Sequence, residues 1–291
     1  MNKKSFKFRL KKKAPNRSVA GDGLNIFVLV LVGAFMGLPL LYAISNALKP
    51  LEELFVFPPR FFVRNPTLSN FKDIFILMAS SWVPFTRYTF NTVFITVIGT
   101  LGHLLIASLC AFALAKHKFP GRNLIFGIIV TSLMFASQVT AIPNYIIMAK
   151  INWLDTYLAL VIPAIAKPLG LFLMKQFMEQ IPDTLLESAR IDGAKEFKVF
   201  LNIAMPMVKP AWLTLIIFSF QDLWNLQGSN YIYSEELKTL PYALSQISSG
   251  GIARAGATSA VAVIMMIVPI TIFIISQSSI IETMASSGIK E

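Results

Sequence analysis

The sequence predicts an all-α membrane protein with six transmembrane helices and a further helix in a cytoplasmic loop. Three observations predict it. Of the 291 residues 55% are hydrophobic and only 14% charged, with a mean hydropathy of +0.64, whereas a soluble domain carries about 25% charged residues. Four runs, Leu24 to Leu48, Tyr88 to Ala115, Asn123 to Ala149 and Ala255 to Ile281, contain no Asp, Glu, Lys or Arg, and each exceeds the roughly 20 residues that a spanning helix needs. The basic residues avoid these runs and crowd alternate connecting segments, which is how a membrane protein fixes its orientation. The same balance excludes a disordered or collagen-like chain. The net charge of +11 follows from that loop bias and not from nucleic-acid binding, because no RNA- or DNA-binding module is present. One cysteine, Cys110, excludes internal disulfides and multi-cysteine metal sites.

The elements follow in order. Residues 1–23 form a basic segment with eight positive side chains before Leu24. The span over 24–48 is too long for the apolar region of a signal peptide, which is about 7 to 15 residues, and is read as uncleaved. The connection from Lys49 to Arg87 carries Pro50, Pro58, Pro59, Pro66 and Pro84, so it is expected to be irregular or only partly helical. Spans over 88–115 and 123–149 follow, separated by Lys116, Lys118 and Arg122. A span over 154–174 contains Lys167 between Pro163 and Pro168, where a kink is expected. One over 207–226 contains Lys209 near one end and Asp222 near the other, and 255–281 closes a domain of residues 24–281 ahead of a tail, 282–291. With both termini cytoplasmic, 17 of the 26 basic residues fall on the inner side and eight on the outer, as the positive-inside rule requires.

The inner loop at 182–206 is the most informative. Thr184 and Glu187 stand three apart after Pro182 and read as a capping box opening a short helix. Gly193 interrupts it, and Ala194, Phe197, Phe200, Leu201 and Ala204 then recur at helical spacing up to Pro206. That composition fits a helix lying on the membrane surface and equally one that grips a soluble partner. The string Glu187-Ser188-Ala189-Arg190-Ile191-Asp192-Gly193, then nine residues, then Ile203-Ala204-Met205-Pro206 resembles the EAA motif of the membrane subunits of bacterial ABC importers. Ser188 and Met205 stand where the motif has alanine and leucine. The span pattern, the loop wording and the closing Gln277, Gly288 and Lys290 look like the carbohydrate-uptake branch, of the shorter maltose-permease type. Thr283 and the final Lys290-Glu291 depart from that pattern.

The resemblance implies the type I ABC importer permease fold, in a bacterial cytoplasmic (inner) membrane. It makes the loop helix a coupling helix seated in a cleft of an ATPase subunit. Glu187 would make the polar contact, Ala189 would allow close approach and Gly193 the bend, with Ser188 and Asp192 completing the ATPase-facing set. Physically, a small residue permits close backbone packing, glycine accepts left-handed dihedrals, and a carboxylate near the first turn complements the helix dipole. The implied partners are a second, related permease chain, an ATPase dimer that binds ATP and Mg, an extracellular or periplasmic solute-binding protein, and a carbohydrate moved by alternating access. This chain has no Gly-x-x-x-x-Gly-Lys-Ser/Thr loop of its own, so it is expected to need no cofactor, to hold no metal and to catalyse no reaction. Its histidines, His103 and His117, sit in no catalytic string.

Polar groups inside spans mark the candidate substrate path, since Asp or Lys at a helix centre costs about 2.5 to 3.5 kcal/mol. Lys167, Gln221, Asp222, Trp224 and Asn225 combine charge, amides and an aromatic face suited to a sugar. Trp224 and Asn225 equally fit the outer interface. Asn91, Gln138 and Asn144 are further candidates, although small polar residues in spans commonly bond neighbouring helices. Lys167 is expected to pair with Asp222 or to meet an acidic group of a charged glycan. Two alternatives stay open: an importer of another polar solute, such as a polyol phosphate, and an ion-coupled secondary transporter using Asp222 and Lys167 as a relay.

Overall fold

The computed structural model describes residues 19–79, 82–228, 230–251 and 254–287. The basic run before Val19 and the closing Gly288, Lys290 and Glu291 lie outside them. Among the described residues no strand forms. The helices are α1 (Val19–Leu48), α2 (Leu51–Leu54), α3 (Ser69–Ala79), α4 (Phe85–Lys116), α5 (Arg122–Ser132), α6 (Ser137–Lys150), α7 (Leu158–Ile165) and α8 (Pro168–Glu179). They are followed by α9 (Asp183–Ile191), α10 (Glu196–Val199), a π turn over Phe200–Ala204, α11 (Met205–Met207), α12 (Lys209–Trp224), α13 (Leu240–Ser248) and α14 (Ala255–Ser287).

Among the described residues four segments are long and apolar enough to cross a bilayer: Gly21–Leu48, Phe85–Lys116, Leu158–Glu179 and Ala255–Ile275. Up to six cross if two bent pairs, α5 with α6 and Glu196–Met207 with α12, each count as one span. The pairs bend by 109° and 82°. The uninterrupted span expected over 123–149 is therefore broken. Apolarity alone could not reveal this, because the break falls at a turn over residues 133–136 inside a charge-free run. Thr131 Oγ1 donates to Gly127 O at 2.9 Å and Ser132 Oγ to Ile129 O at 2.6 Å, competing with the helical ladder, and the chain restarts from an extended Ala136.

The segment expected over 154–174 starts later and runs further. It breaks between α7 and α8, where Pro168 has no amide hydrogen and holds Lys167 in an extended conformation, ψ 125°. Asp155 stays outside the helix, in a left-handed conformation at φ 57°. Its carboxylate accepts the amides of Tyr233 and Ser234 at 2.9 and 2.8 Å and the Ser234 hydroxyl. The Ser234 hydroxyl, followed by these amides and Lys238, holds this carboxyl below its usual range.

The axis of the fold is α4, whose buried Ala107, Ser108 and Ala111 let neighbours approach closely. Around its C-terminal half Ala107, Ala111 and Phe112 pack with Met174, Met178, Leu186, Phe200 and Leu215. Around its N-terminal half Ile95 packs with Leu160, Ala164, Leu223 and Ile232, and Tyr88 with Ile74, Leu244 and Ala260. By contrast, the apolar stretch of α1 is exposed along its length, and its C-terminal end is held by side-chain hydrogen bonds. There Lys49 is buried, donating to Asn46 Oδ1 at 2.7 Å and Arg60 O at 2.5 Å. Asn70 donates to Ala47 O and Lys49 O at 2.9 and 2.7 Å. The proline-rich connection thus folds back onto α1, α3 and α14 with α2 as its first turn.

The packing is close at Gly170, where an added Cβ would lie 2.2 Å from His103 Nε2 and 2.6 Å from Leu215 Cδ1. Gly170→Ala is therefore expected to destabilise the fold by about 1 to 3 kcal/mol. A thermal melt of the purified chain in detergent measures this, with Gly37→Ala, which lies in α1 and faces open space, as the control that loses no stability.

Candidate functional site

The centre of the molecule is organised by His103, which lies on α4 and is only 2% exposed. Nε2 is 3.1 Å from Lys167 O and Nδ1 2.6 Å from Ser219 Oγ. A carbonyl only accepts, so Nε2 carries the proton and Nδ1 accepts from the Ser219 hydroxyl. One imidazole thus joins α4 to the α7–α8 break and to α12. Three residues beyond Ser219, on the same face of α12, stands Asp222. Its Oδ2 accepts from Lys167 Nζ at 2.5 Å. The side chains of the pair are 41% and 64% exposed. The bracket through His103 therefore fixes the Lys167 backbone beside the helix that carries its counter-ion.

The remaining candidates separate into two groups. Gln221 and Asn225 are exposed beside Asp222, and Asn225 Nδ2 donates to Gln221 O at 2.8 Å. Gln138 and Asn144 are exposed on α6. Trp224 is 6% exposed, donates from Nε1 to Met265 O at 3.0 Å and stacks on Phe220 at 5.7 Å. Helical periodicity turns it towards α14, away from Asp222. Asn91 is fully buried. Its Nδ2 donates to Glu236 O and Lys238 O, both at 2.8 Å, and its Oδ1 accepts from Tyr157 OH at 2.7 Å, which leaves little capacity for a ligand.

The segment around α9 has a defined shape. The helix begins directly after Pro182, and the expected capping box does not form. Thr184 already lies in the first turn, its carbonyl accepting from Ser188 Oγ at 2.8 Å, while Asp183 reaches Lys116 Nζ at 2.7 Å. The helix ends in a Schellman turn: Gly193 takes φ 82°, Ala194 N donates to Ala189 O and Gly193 N to Arg190 O, both at 3.0 Å. Arg190 then spans the turn with two bonds to Glu196, 2.6 and 3.2 Å. Those bonds raise the Arg190 guanidinium above its ordinary range and hold the Glu196 carboxyl below its own. Leu186 is buried inward, and Glu187, Ser188, Asp192 and Gly193 are exposed on the projecting side.

Several partners were not anticipated from the sequence. Ser219 carries a usable signal, a hydroxyl one turn before a charged span residue. Lys175, lying 3.7 Å from the centre of the Phe126 ring and 2.8 Å from Glu179, and Lys116 are the first basic residues beyond apolar runs, but nothing local names their partners. Among the described residues no group of three His, Cys, Asp or Glu side chains could hold a metal ion.

A polytopic helical scaffold with a projecting two-part loop helix and ionic groups at a broken span defines a membrane transport subunit. Residues 103–285 match the family of the binding-protein-dependent transport system inner membrane component, and the chain belongs to that family. It is 37% identical to Protein LplC of Bacillus subtilis over 209 residues, which are 70% of this chain and 67% of that protein. It is 30% identical over 266 residues to the arabinooligosaccharides transport system permease protein AraQ of Halalkalibacterium halodurans, covering 87% and 90% of the two chains. Its fold is similar to that of a chain in a bacterial ABC transporter involved in the import of the acidic polysaccharide alginate. The TM-score is 0.76 at 22% identity, over 91% of this chain and 99% of that one.

If Trp224 serves packing, Trp224→Phe should keep the ring, lose one hydrogen bond and lower stability by about 0.5 to 1.5 kcal/mol. Substrate affinity of the assembled transporter should stay unchanged, and a shift in that affinity would place Trp224 back in the path.

Proposed function

We propose that this chain is one permease subunit of an ATP-driven, binding-protein-dependent importer of carbohydrate, moving an oligosaccharide or glycan fragment by alternating access. The observation that carries this reading is the projecting α9 segment. It presents Glu187, Ser188, Asp192 and Gly193 outward and closes on a left-handed glycine, within a chain whose family is an inner-membrane transport component. AraQ, a permease of arabinooligosaccharide transport, supports a sugar polymer as cargo.

In this reading α9 lies on the cytoplasmic side and both termini share that side. Residues 1–23 form the basic inner segment, 24–281 the permease domain and 282–291 the inner tail. A second, related permease chain completes the path. A separate ATPase dimer binds ATP and Mg and receives α9, and a solute-binding protein delivers cargo to the opposite face. Closure of the ATPase helps transport only through contacts that differ between the two states of the permease. Lys167, Gln221, Asp222 and Asn225, joined by Gln138 and Asn144 of α6, line the path. Ionic and amide groups suit a wet cavity between chains, because hydrocarbon would penalise them.

The test is ATP-dependent uptake of labelled oligosaccharides by liposomes containing the transporter purified with its partners. A proline ring holds φ near about −65°, so Gly193→Pro cannot form the turn that the glycine makes at φ 82°. That substitution should cut binding-protein-stimulated ATP hydrolysis by about fivefold or more while the chain still inserts. Undiminished stimulation would contradict a coupling role for α9. Lys167→Gln should alter substrate preference or uptake rate, and unchanged transport would remove Lys167 from the path.

A further inference from the structure

The backbone joints on either side of α9 are soft. On one side Ile181 leads into Pro182, whose extended conformation (ψ 130°) separates α8 from α9. On the other lie Gly193, the four-residue α10, the π turn over Phe200–Ala204 and the three-residue α11, and then an 82° bend into α12. π turns and proline breaks are places where a helix yields. A displacement of α9 is therefore poorly delivered to α8 or α12 along the chain itself.

A direct tie runs instead to the end of α4. Lys116, its last residue, has a side chain only 5% exposed, although Asp183 opposite is 74% exposed. The ammonium donates to Ile181 O at 2.5 Å and to Asp183 Oδ1 at 2.7 Å, gripping the chain on both sides of Pro182. The next residue, His117, places Nε2 3.6 Å from Glu196 Oε2, the carboxylate that Arg190 also holds. His117 sits edge-on to Phe112, which packs against Phe200. One end of the α9 segment is thus held by Lys116 and the other lies beside the adjacent His117, and Leu186 is buried in one cluster with Ala107, Ala111 and Phe112 of α4 and Met174 and Met178 of α8.

The rod is continuous. α4 runs 32 residues, about 48 Å at 1.5 Å per residue, with no proline between Phe85 and Lys116. Its other end grips the connection between α12 and α13. Arg87 Nε donates to Glu236 O at 3.1 Å, Tyr88 OH to Glu235 Oε1 at 2.8 Å, and Thr92 Oγ1 accepts from Leu240 N at 2.7 Å.

Resting on the importer reading above, we propose that Lys116 and His117 are positioning residues that fasten the ATPase-facing helix to α4. The α4 rod then carries the displacement of that helix across the bilayer to the opposite loop. Lys116 touches neither nucleotide nor substrate. Its role is to keep α9 and α4 moving as one body.

The experiment measures solute moved per ATP hydrolysed, together with the melting temperature, for the assembled transporter in liposomes. Lys116→Gln and Asp183→Asn should each lower solute moved per ATP by about fivefold or more, while binding-protein-stimulated hydrolysis persists. Asp183→Asn changes an exposed group, so the complex should assemble and melt as the wild type does. Lys116→Arg, which keeps charge and reach, should restore most of the ratio. An unchanged ratio in both variants overturns the proposal. So does a fall in uptake that merely follows loss of assembled protein, which would make Lys116 a folding anchor only. A wild-type complex without ATP-dependent uptake would instead overturn the importer reading, an outcome separate from either.

Discussion

Hydrocarbon offers no hydrogen bonds, so polar groups buried at bilayer depth are best satisfied within the protein, as most on α4 are, Thr96 Oγ1 and Thr100 Oγ1 excepted. Along α4 that constraint organises the fold. Asn91 and Thr92 take up the backbone of the α12–α13 connection, and His103 takes up Lys167 O and Ser219. The bracket through His103 has the widest consequences. The break before Pro168 exposes backbone that would be costly in lipid, and the imidazole covers part of it. It also sets the Lys167–Asp222 pair at the junction of two elements. Gly170 exists where it does because no larger residue fits beneath that ring.

How much of this was legible depends on the range over which each signal acts. Charge-free length is a local property, and it located α1, α4 and α14 closely. It failed over 123–149, where a turn over residues 133–136 breaks a run that contains no charge at all. The Gly193 turn was legible because only glycine readily takes φ 82° there, and the surrounding string carried the family resemblance. The expected capping box does not form, since Pro182 stands at the N-cap and Thr184 lies inside the first turn.

Orientation about a helix axis was the other limit. Composition named Asp222 and Trp224 together, yet two positions along a helix face different directions. Asp222 meets Lys167 while Trp224 closes against Met265. Asn91 likewise looked like a ligand group, and its amide bonds carbonyls 145 and 147 residues away. Lys116 and Asp183, 67 residues apart, show the same thing at the α9 end. Such long-range pairs leave no local pattern, so a single sequence does not reveal them. The exposed apolar length of α1 is the counterpart: its local pattern is clear, but nothing in it names a partner.

The central claim is that this subunit does its work inside an assembly powered by another chain. Mass spectrometry of everything that co-purifies with it from native membranes in mild detergent tests that claim most directly. The account predicts recovery of an ATPase carrying a P-loop and of a second polytopic permease chain. Recovery of this chain alone, still moving solute across liposome membranes without ATP, would contradict it and favour an ion-coupled carrier.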